Sequence, residues 1–169
     1  MIENSLSEVE RSKIVFLIGD EVADVPYVLP LVQQMHKESL FSDLPFDQQQ
    51  YENICKVIKN NPAHHSALYV EYDEEPVAFA YYNFRPFMGS QQSWVTYMHT
   101  LYLRSDIRST PVGGFIWERI VMSVRAWSAP RSSRGIIFNV MSGIAIEESD
   151  AVLRANGSTH LGGNYFMRI

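Results

Sequence analysis

The segment from Tyr97 to Ile120 constrains the fold more than any other part of the chain. Its sequence, YMHTLYLRSDIRSTPVGGFIWERI, places an apolar strand before a polar turn with two arginines, then a Pro-Val-Gly-Gly hinge and an amphipathic helix. A strand that enters a helix through such a turn brings unpaired backbone N–H groups and the positive end of the helix dipole together. The segment therefore predicts an α/β arrangement with a place for an anionic ligand.

Composition limits what surrounds this segment. The chain has 169 residues, of which 46% are hydrophobic and 20% charged, which predicts one domain over residues 1–169. No apolar run reaches the roughly 20 residues of a membrane-spanning helix. The net charge of -5 argues against a nucleic-acid partner. A polar N-terminus unlike a secretory leader and a single cysteine, Cys55, predict a cytoplasmic protein.

Hydrophobic periodicity predicts a fold of class α/β (α+β), with a mixed central sheet of about six to seven strands flanked by helices. Residues 1–12 are expected to form a loose lead-in, and 87–93 a polar loop. Cys55 is expected to pack in the core, on the apolar stripe of its helix. The expected elements are a strand at 14–18, a helix from Asp24, a helix at 48–61, a hairpin of strands 67–72 and 77–84, a strand at 94–103, a helix at 112–127, a strand at 136–141, a helix at 146–156 and an end strand at 164–169.

This element order, with the turn after residue 103, resembles the GCN5-related N-acetyltransferase (GNAT) superfamily. The family motif is Arg/Gln-x-x-Gly-x-Gly/Ala, and here it reads Arg108-Ser109-Thr110-Pro111-Val112-Gly113. The arginine and the last glycine match, whereas Pro111 replaces the first glycine. The resemblance implies that acetyl-CoA, or another acyl-CoA, binds between the fourth and fifth strands as co-substrate. It also implies transfer of the acyl group to an amine.

The resemblance also implies which residues hold the coenzyme. Backbone groups of residues 101–103 would pair with the pantetheine arm, and N–H groups of 107–110 and 112–115 would bind the pyrophosphate. Pro111 has no N–H, so either one hydrogen bond is lost or the ligand never used it. A tight strand-to-helix connection without any ligand is the alternative. The implied cofactor-binding residues are Leu101, Tyr102, Leu103, Arg108, Ser109, Thr110, Val112, Gly113 and Gly114.

His99 is the candidate general base for such a reaction. Transfer to an amine needs a group that removes a proton from the ammonium, and an unperturbed histidine pKa near 6.5 suits this role. Some arylalkylamine-type members of the family place a histidine at this point of the strand. Alternate positions on a strand share a face, which places Tyr97 beside His99, together with Leu101 and Leu103. Tyr97 and His99 could instead be a partly buried polar pair with no catalytic role.

The general acid is harder to find. The resemblance implies a tyrosine on the last helix, four residues before its terminal glycine, but that position is Leu153. Tyr165 is the alternative hydroxyl. Direct attack by the amine is expected rather than a covalent acyl-enzyme, because Cys55 lies on a helix far from the motif. Pro111 and Leu153 also motivate a rival interpretation, a non-catalytic binding or regulatory module that retains the fold.

Other polar clusters in the sequence are weaker indications of a functional site. His64 and His65 are adjacent and would point in opposite directions on an extended segment, which favours a loop pair over a metal site. The acidic residues at 71–75 are interpreted as a solvated hairpin turn. Arg125, Arg131 and Arg134 could meet a phosphate or form an ordinary helix end. The acceptor, a small molecule or a protein side chain, is expected near residues 35–46, and a homodimer is compatible with the sequence.

Overall fold

One mixed β-sheet organises residues 6–19, 28–139 and 144–161, which are those that the computed structural model describes. Its strands run in the order β1-β2-β3-β4-β5, with antiparallel neighbours except for the parallel pair β4 and β5. They are β1 (Ile14–Ile18), β2 (His65–Tyr72), β3 (Glu75–Phe87), β4 (Ser90–Leu103) and β5 (Ile136–Phe138). The predicted mixed sheet with flanking helices is confirmed, with five strands in the described residues. The expected end strand at 164–169 lies outside them.

Helices cover both faces of this sheet. They are α1 (Glu8–Ser12), α2 (Val28–Glu38), α3 (Gln48–Asn60), α4 (Ser105–Arg108), α5 (Pro111–Ser128) and α6 (Ile146–Ala155), and a 3₁₀ turn (Ala129–Arg131) follows α5. No helix among the described residues combines the length and the apolar character needed to cross a membrane. Each face of the sheet has its own apolar cluster, because side chains alternate along a strand.

The two clusters share the strands. On one face, Leu68, Val70 and Met98 pack with α5 and α6, and Ile116 and Ile120 are fully buried there. On the other face, the cluster beneath α2 and α3 contains Val28, Leu31, Ile58, Ala67, Tyr69, Phe79 and Tyr102. Cys55 is only half-buried and lies at the margin of this second cluster, so the expectation that it packs in the core is only partly met.

Both hairpins turn within two residues. Tyr72 pairs with Glu75 across Asp73 and Glu74, whose φ angles of 56° and 65° are those of a type I′ turn. The next hairpin turns at Met88 and Gly89, and the expected polar loop at 87–93 is wrong. Those residues extend β3 and β4 as a two-stranded ribbon. Hydrophobic periodicity detects a strand by its buried face. A ribbon exposed to solvent has no such face and is held by backbone hydrogen bonds between its strands, so the pattern does not reveal it.

The lead-in expected at 1–12 is also wrong in its described part. Glu8–Ser12 form α1 because Ser7 and Glu10 make a capping box: the Ser7 side chain accepts from the Glu10 N–H, and the Glu10 carboxylate accepts from the Ser7 N–H at 2.9 Å. Pro30 lies in the first turn of α2, where a missing N–H costs nothing. The proposed cap of this helix, Asp24, is outside the described residues.

Candidate functional site

A β-bulge in β4 lies at the centre of the candidate site. Tyr81 pairs with Thr100 and Tyr82 pairs with Met98, which leaves His99 as the extra residue on β4. A bulge bends its strand and redirects the side chain of the unpaired residue. The strand therefore changes direction at the residue predicted to be the base.

The bulge overturns part of the predicted side-chain alternation. Tyr97 and His99 do share a face, and their rings stack with centroids 6.2 Å apart. Leu101 and Leu103, however, pack with the cluster under α5, on the opposite face. The extra residue at 99 shifts the alternation by one position, so a simple period of two could not hold across it.

In the described part of the chain, the pairing of β4 with β5 ends next to this bulge. Their register covers Thr96 to Met98 against Ile136 to Phe138, and the last hydrogen bond runs from the Asn139 N–H to the Met98 carbonyl at 3.1 Å. A cleft of about 250 Å³ lies beside this point. It is lined from one face of the sheet by Trp117, Ser149 and Leu153, from the other by Met35, His36, Ser39 and Phe41, and between them by Met98, His99, Thr100, Leu101, Phe138, Asn139 and Ile144. The cleft therefore passes through the sheet.

The edge of β4 along this cleft is only partly used within the chain. The Arg104 N–H donates to Val77 of β3 at 2.8 Å, so by alternation the backbone groups of Tyr102 also face β3. Those of Leu101 and Leu103 face away from β3. The Leu103 carbonyl accepts from Arg108 Nε and Nη2 at 3.0 and 2.8 Å, whereas Leu101 presents its backbone groups at the cleft.

His99 is half-buried in a set of aromatic side chains. It stacks on Tyr81, with centroids 5.4 Å apart, and Nε2 lies 2.9 Å from Asn83 Oδ1. Since Oδ1 can only accept, Nε2 carries the proton and Nδ1 has the lone pair. Nδ1 makes no hydrogen bond with the described residues. Desolvation, and then the charges of Arg85 and His65, lower the pKa of His99, so its neutral form is favoured near pH 7.

Sequence reasoning missed Asn83 and Arg85. Both lie on β3 and reach this set only through the β3–β4 register, which pairs Asn83 with Tyr97 and Arg85 with Val95. The Arg85 guanidinium lies 4.0 Å from the centre of the Tyr97 ring, a cation–π contact. The extended pattern of residues 77–84 predicted the strand, but it carried no signal for which cross-strand residues meet.

The motif arginine, Arg108, is held by the protein itself. Besides the Leu103 carbonyl, its Nη2 donates to Glu38 at the end of α2 at 2.8 Å, and Tyr102 Oη donates to the same carboxylate at 2.8 Å. Burial opposes ionisation of Glu38, but the hydrogen bonds from Arg108 and Tyr102 outweigh it and lower its pKa. Arg108 therefore ties α2 to the turn before α5.

The turn that follows uses most of its N–H groups internally. Ile107 and Arg108 donate to the Arg104 carbonyl, and Thr110 donates to Ile107 at 3.0 Å. Thr110 is the N-cap of α5: its hydroxyl accepts from the Gly113 N–H at 3.2 Å. Pro111 takes the first helical position, where proline is favoured.

Two backbone features of this turn bear on a ligand. Among the described residues, the Val112 N–H has no acceptor, so it remains available at the helix N-terminus. Gly113 is needed for packing, because a Cβ there would overlap the Ile107 carbonyl oxygen and lie 2.9 Å from the Ile107 carbonyl carbon. Packing alone therefore explains why this position of the motif is a glycine.

Leu153 lies in the cleft and is 9% exposed. The position that the resemblance assigns to a tyrosine acid thus borders the predicted site, but with an apolar side chain. Ser149, one turn earlier on α6, gives the cleft a hydroxyl. Tyr165, the other suggested hydroxyl, is outside the described residues.

Apart from His65, which contacts Tyr81 of the aromatic set around His99, the remaining polar clusters lie away from this cleft. His64 stacks near Trp94 at 5.3 Å and His65 lies on Tyr81 at 6.2 Å, so the two histidines have different surroundings. Arg131 binds the carbonyls of Ala63 and Trp127 at 3.1 and 2.7 Å. In the part of the chain that the structure describes, no group of three or more histidine, cysteine, aspartate or glutamate side chains could hold a metal ion.

Comparison with known proteins gives a fold match without a sequence match. No protein-family model and no curated protein matches the chain. A ribosomal-protein-alanine N-acetyltransferase from Brucella melitensis biovar Abortus 2308 superposes with a TM-score of 0.62 at 13% identity, covering 92% of this chain and 99% of the other. An aminoglycoside acetyltransferase, AAC(6′)-Iy, in complex with a CoA-linked bisubstrate analogue, gives 0.64 at 14%, covering 92% and 97%.

A transcriptional regulator from Bacillus halodurans C-125 also matches, with a TM-score of 0.67 at 14% identity and coverage of 92% and 99%. Each match extends over nearly the whole of both chains, so the similarity concerns the complete arrangement of elements rather than one motif. The chain therefore has the fold of the GCN5-related N-acetyltransferase superfamily, and the resemblance seen in its sequence is confirmed at the level of the fold.

Proposed function

We propose that the protein is an acyltransferase that moves an acetyl or other acyl group from acyl-CoA to an amine. The observation that carries this proposal is the cleft beside β4 and β5, which joins the edge at Leu101, where no described strand pairs, to the bulged His99. An extended ligand can pair with such an edge as an added strand does. The same cleft is lined by His99, whose Nε2–H is held by Asn83 so that the lone pair of Nδ1 is available.

The residues around the cleft fit an acyl-CoA. Leu101 offers backbone groups for the pantetheine amides, and the Val112 N–H with the positive end of α5 offers a place for the pyrophosphate. The bound thioester would supply an activated acyl carbon and a thiolate leaving group. Arg108 contributes by fixing the turn, since its guanidinium already binds Leu103 and Glu38.

His99 would act as the base. Asn83 holds Nε2–H, so Nδ1 is the atom that accepts the proton from the acceptor ammonium or from an intervening water. The lowered pKa keeps this nitrogen unprotonated at neutral pH. Attack by the amine is direct in this scheme: the N–C bond forms as the C–S bond breaks. Cys55 is not used, because it lies on α3, at the margin of the second apolar cluster, and does not line the cleft.

Thermal stabilisation and turnover test the proposal together. Saturating acetyl-CoA or CoA is expected to raise the unfolding temperature, since a ligand that binds only the folded state stabilises it. His99→Gln is expected to keep this stabilisation and to lower kcat by about 10²- to 10⁴-fold. An unchanged unfolding temperature with either ligand would remove the basis for a coenzyme site.

A non-catalytic module is the second candidate, and Leu153 is the observation that favours it. The cleft has no phenolic hydroxyl at that position, and a transcriptional regulator shares this fold. Coenzyme binding without turnover across a panel of amines, with no effect of His99→Gln, would favour this candidate over the enzyme.

A further inference from the structure

A second cavity adjoins the cleft on the face of the sheet covered by α2 and α3. It has a volume of about 210 Å³, and Met35 and Thr100 line both spaces. We propose that this second cavity binds the apolar part of the acceptor, so that the substrate is a primary amine carrying an aromatic or alkyl group rather than a polycation. This inference rests on the proposed acyl transfer and names its substrate class.

The position of the second cavity relates it to His99. Tyr81 lines the cavity and stacks on the His99 ring with centroids 5.4 Å apart. Thr100, the next residue after the bulge, lies at the junction with the cleft. An amine whose apolar group fills the cavity would thus hold its nitrogen toward the cleft, beside the imidazole.

The lining of the second cavity selects for apolar groups. Most of its side chains are aliphatic or aromatic: Val28, Val32, Met35, Phe46, Tyr51, Ile54, Ile58, Ala67, Phe79, Ala80 and Tyr81. Polar lining comes from Asp47, Gln50, Cys55 and Thr100. An apolar cavity of about 150 Å³ suffices to bind benzene, so one of this size accepts a substituted ring or an alkyl chain.

The charge of the described lining argues against a polycation. Binding several ammonium groups requires several carboxylates, because each buried charge must be paired. In the described part of the chain, Asp47 is the only carboxylate lining either space, and it caps α3 by accepting from the Gln50 N–H at 3.1 Å. A single ammonium bound in the cleft, which loses its proton to His99 Nδ1, requires no such set.

A series of n-alkylamines from ethylamine to octylamine tests the inference. These amines have nearly equal basicity, so differences among them report the apolar contact alone. Each added methylene is expected to raise kcat/KM about 4-fold until the cavity is filled, which corresponds to about 0.8 kcal/mol per buried methylene. 2-Phenylethylamine is expected to react well, and spermidine and kanamycin poorly. A flat series, or faster transfer to the polycations, would overturn the inference.

Filling the second cavity gives a matched test. Cys55→Phe and Val32→Phe place a ring among the lining residues and are expected to lower octylamine kcat/KM at least 10-fold while leaving that for ethylamine within about 2-fold. Val57→Phe is the control, because Val57 lies on α3, as Cys55 does, but is 42% exposed and does not line the cavity. Equal losses for both amines in folded variants would contradict a role in acceptor selection.

Calorimetry with octylamine and spermidine separates this inference from the proposed function. Octylamine binding that Cys55→Phe weakens, with no acyl transfer to any amine, would support the cavity assignment and reject the enzyme. Transfer to spermidine without any binding of octylamine would keep the enzyme and reject the cavity assignment.

Discussion

At the residue scale, burial and two neighbours, Arg85 and Asn83, determine the chemistry of His99. Burial disfavours the imidazolium, the Arg85 guanidinium repels it, and the Asn83 side chain directs Nε2–H away from the cleft. Burial and the Arg85 charge favour the neutral ring, and the contact with Asn83 fixes its tautomer, with the lone pair on Nδ1. An unbonded histidine at the same position would have neither a fixed tautomer nor a fixed orientation.

Arg85 should therefore set the acid limb of the pH profile. If His99 is the base, kcat/KM falls as pH decreases through its lowered pKa. Arg85→Met removes the repelling charge, so that limb is expected to move to higher pH, toward the ordinary histidine value near 6.5. Arg125→Met on the exposed face of α5 is the control and should leave the profile unchanged. A limb that stays in place in Arg85→Met would show that another group titrates.

Arg108 is expected to contribute mainly to stability. Its Nη2 and Glu38 are 2.8 Å apart, with side chains 17% and 26% exposed, and removal of one partner leaves the other charge poorly compensated. Arg108→Met should destabilise the fold by about 1.5 to 3 kcal/mol in denaturant unfolding, the range for hydrogen bonds to charged groups. Glu38→Gln should lower the free energy of unfolding much less in the Arg108→Met variant than in the parent protein. Unchanged stability with lost CoA binding would instead assign Arg108 to the ligand.

Side-chain type and spacing made some of these residues predictable and not others. His99 could be predicted as the base because few side chains titrate near neutrality and because the sequence pattern placed it on the strand before the motif. Asn83 could not, since only the register across two strands, 16 residues apart in sequence, brings it to the imidazole. The motif located Arg108, but no pattern of residues indicated that Glu38, 70 positions away, would bind it.

At the scale of elements, the bulge and the end of β5 together make the site. Within the described residues, β5 pairs with β4 over three residues, and no described strand pairs with the edge of β4 beyond Met98, where the bulge bends it. The sequence predicted the strand, the turn and the helix in order. It could not predict the bulge, because one inserted residue leaves an apolar run looking regular.

The close approach of α4 and α5 depends on Gly113. Gly113→Ala forces the Cβ against the Ile107 carbonyl, a backbone group that cannot rotate away, and is expected to destabilise the fold by about 3 kcal/mol or more. Gly135→Ala is the matched control, because nothing lies within 4 Å of a Cβ there. Comparable unfolding midpoints for the two variants would show that the turn relaxes easily.

Pro111 offers the converse test at the same turn. Pro111→Ala restores an N–H at the first position of α5, beside the unpaired N–H of Val112. If a pyrophosphate binds there, the Kd for CoA should fall about 10-fold, since a hydrogen bond to a charged group contributes about 1.5 kcal/mol or more. Pro130→Ala, in the exposed 3₁₀ turn, controls for the loss of a proline ring. An unchanged Kd would show that the ligand does not use this position.

At the scale of the whole molecule, the sheet separates two apolar clusters and the cleft joins them. Trp117 and Leu153 reach it from the cluster under α5, and Met35 reaches it from the side of α2 and α3. A donor bound along β4 and an acceptor bound under α2 would therefore meet at the bulge from opposite faces. The element order predicted a sheet flanked by helices, while the size of the cavities depends on packing that periodicity does not report.

The same buried imidazoles should make global stability depend on pH. Desolvation lowers the pKa of His65, as it does that of His99, with His64 adding to the effect. Both folded-state values lie below the unfolded value near 6.5, so the unfolded chain binds more protons in the interval between them. The stabilisation is complete above pH 6.5 and is lost as pH falls toward the folded values.

The double variant His65→Gln/His99→Gln should flatten this dependence. The slope of the unfolding free energy against pH reports how many more protons the unfolded chain binds than the folded one. Each histidine contributes at most about one proton to this difference. Urea unfolding at pH 5.5 to 7.5 is therefore expected to show a smaller slope in the double variant than in the parent. Val57→Gln, at an exposed position of α3 without a titratable side chain, is the control and should retain the parental slope. If the double variant keeps that slope as well, the two buried rings are not the groups that couple protonation to folding.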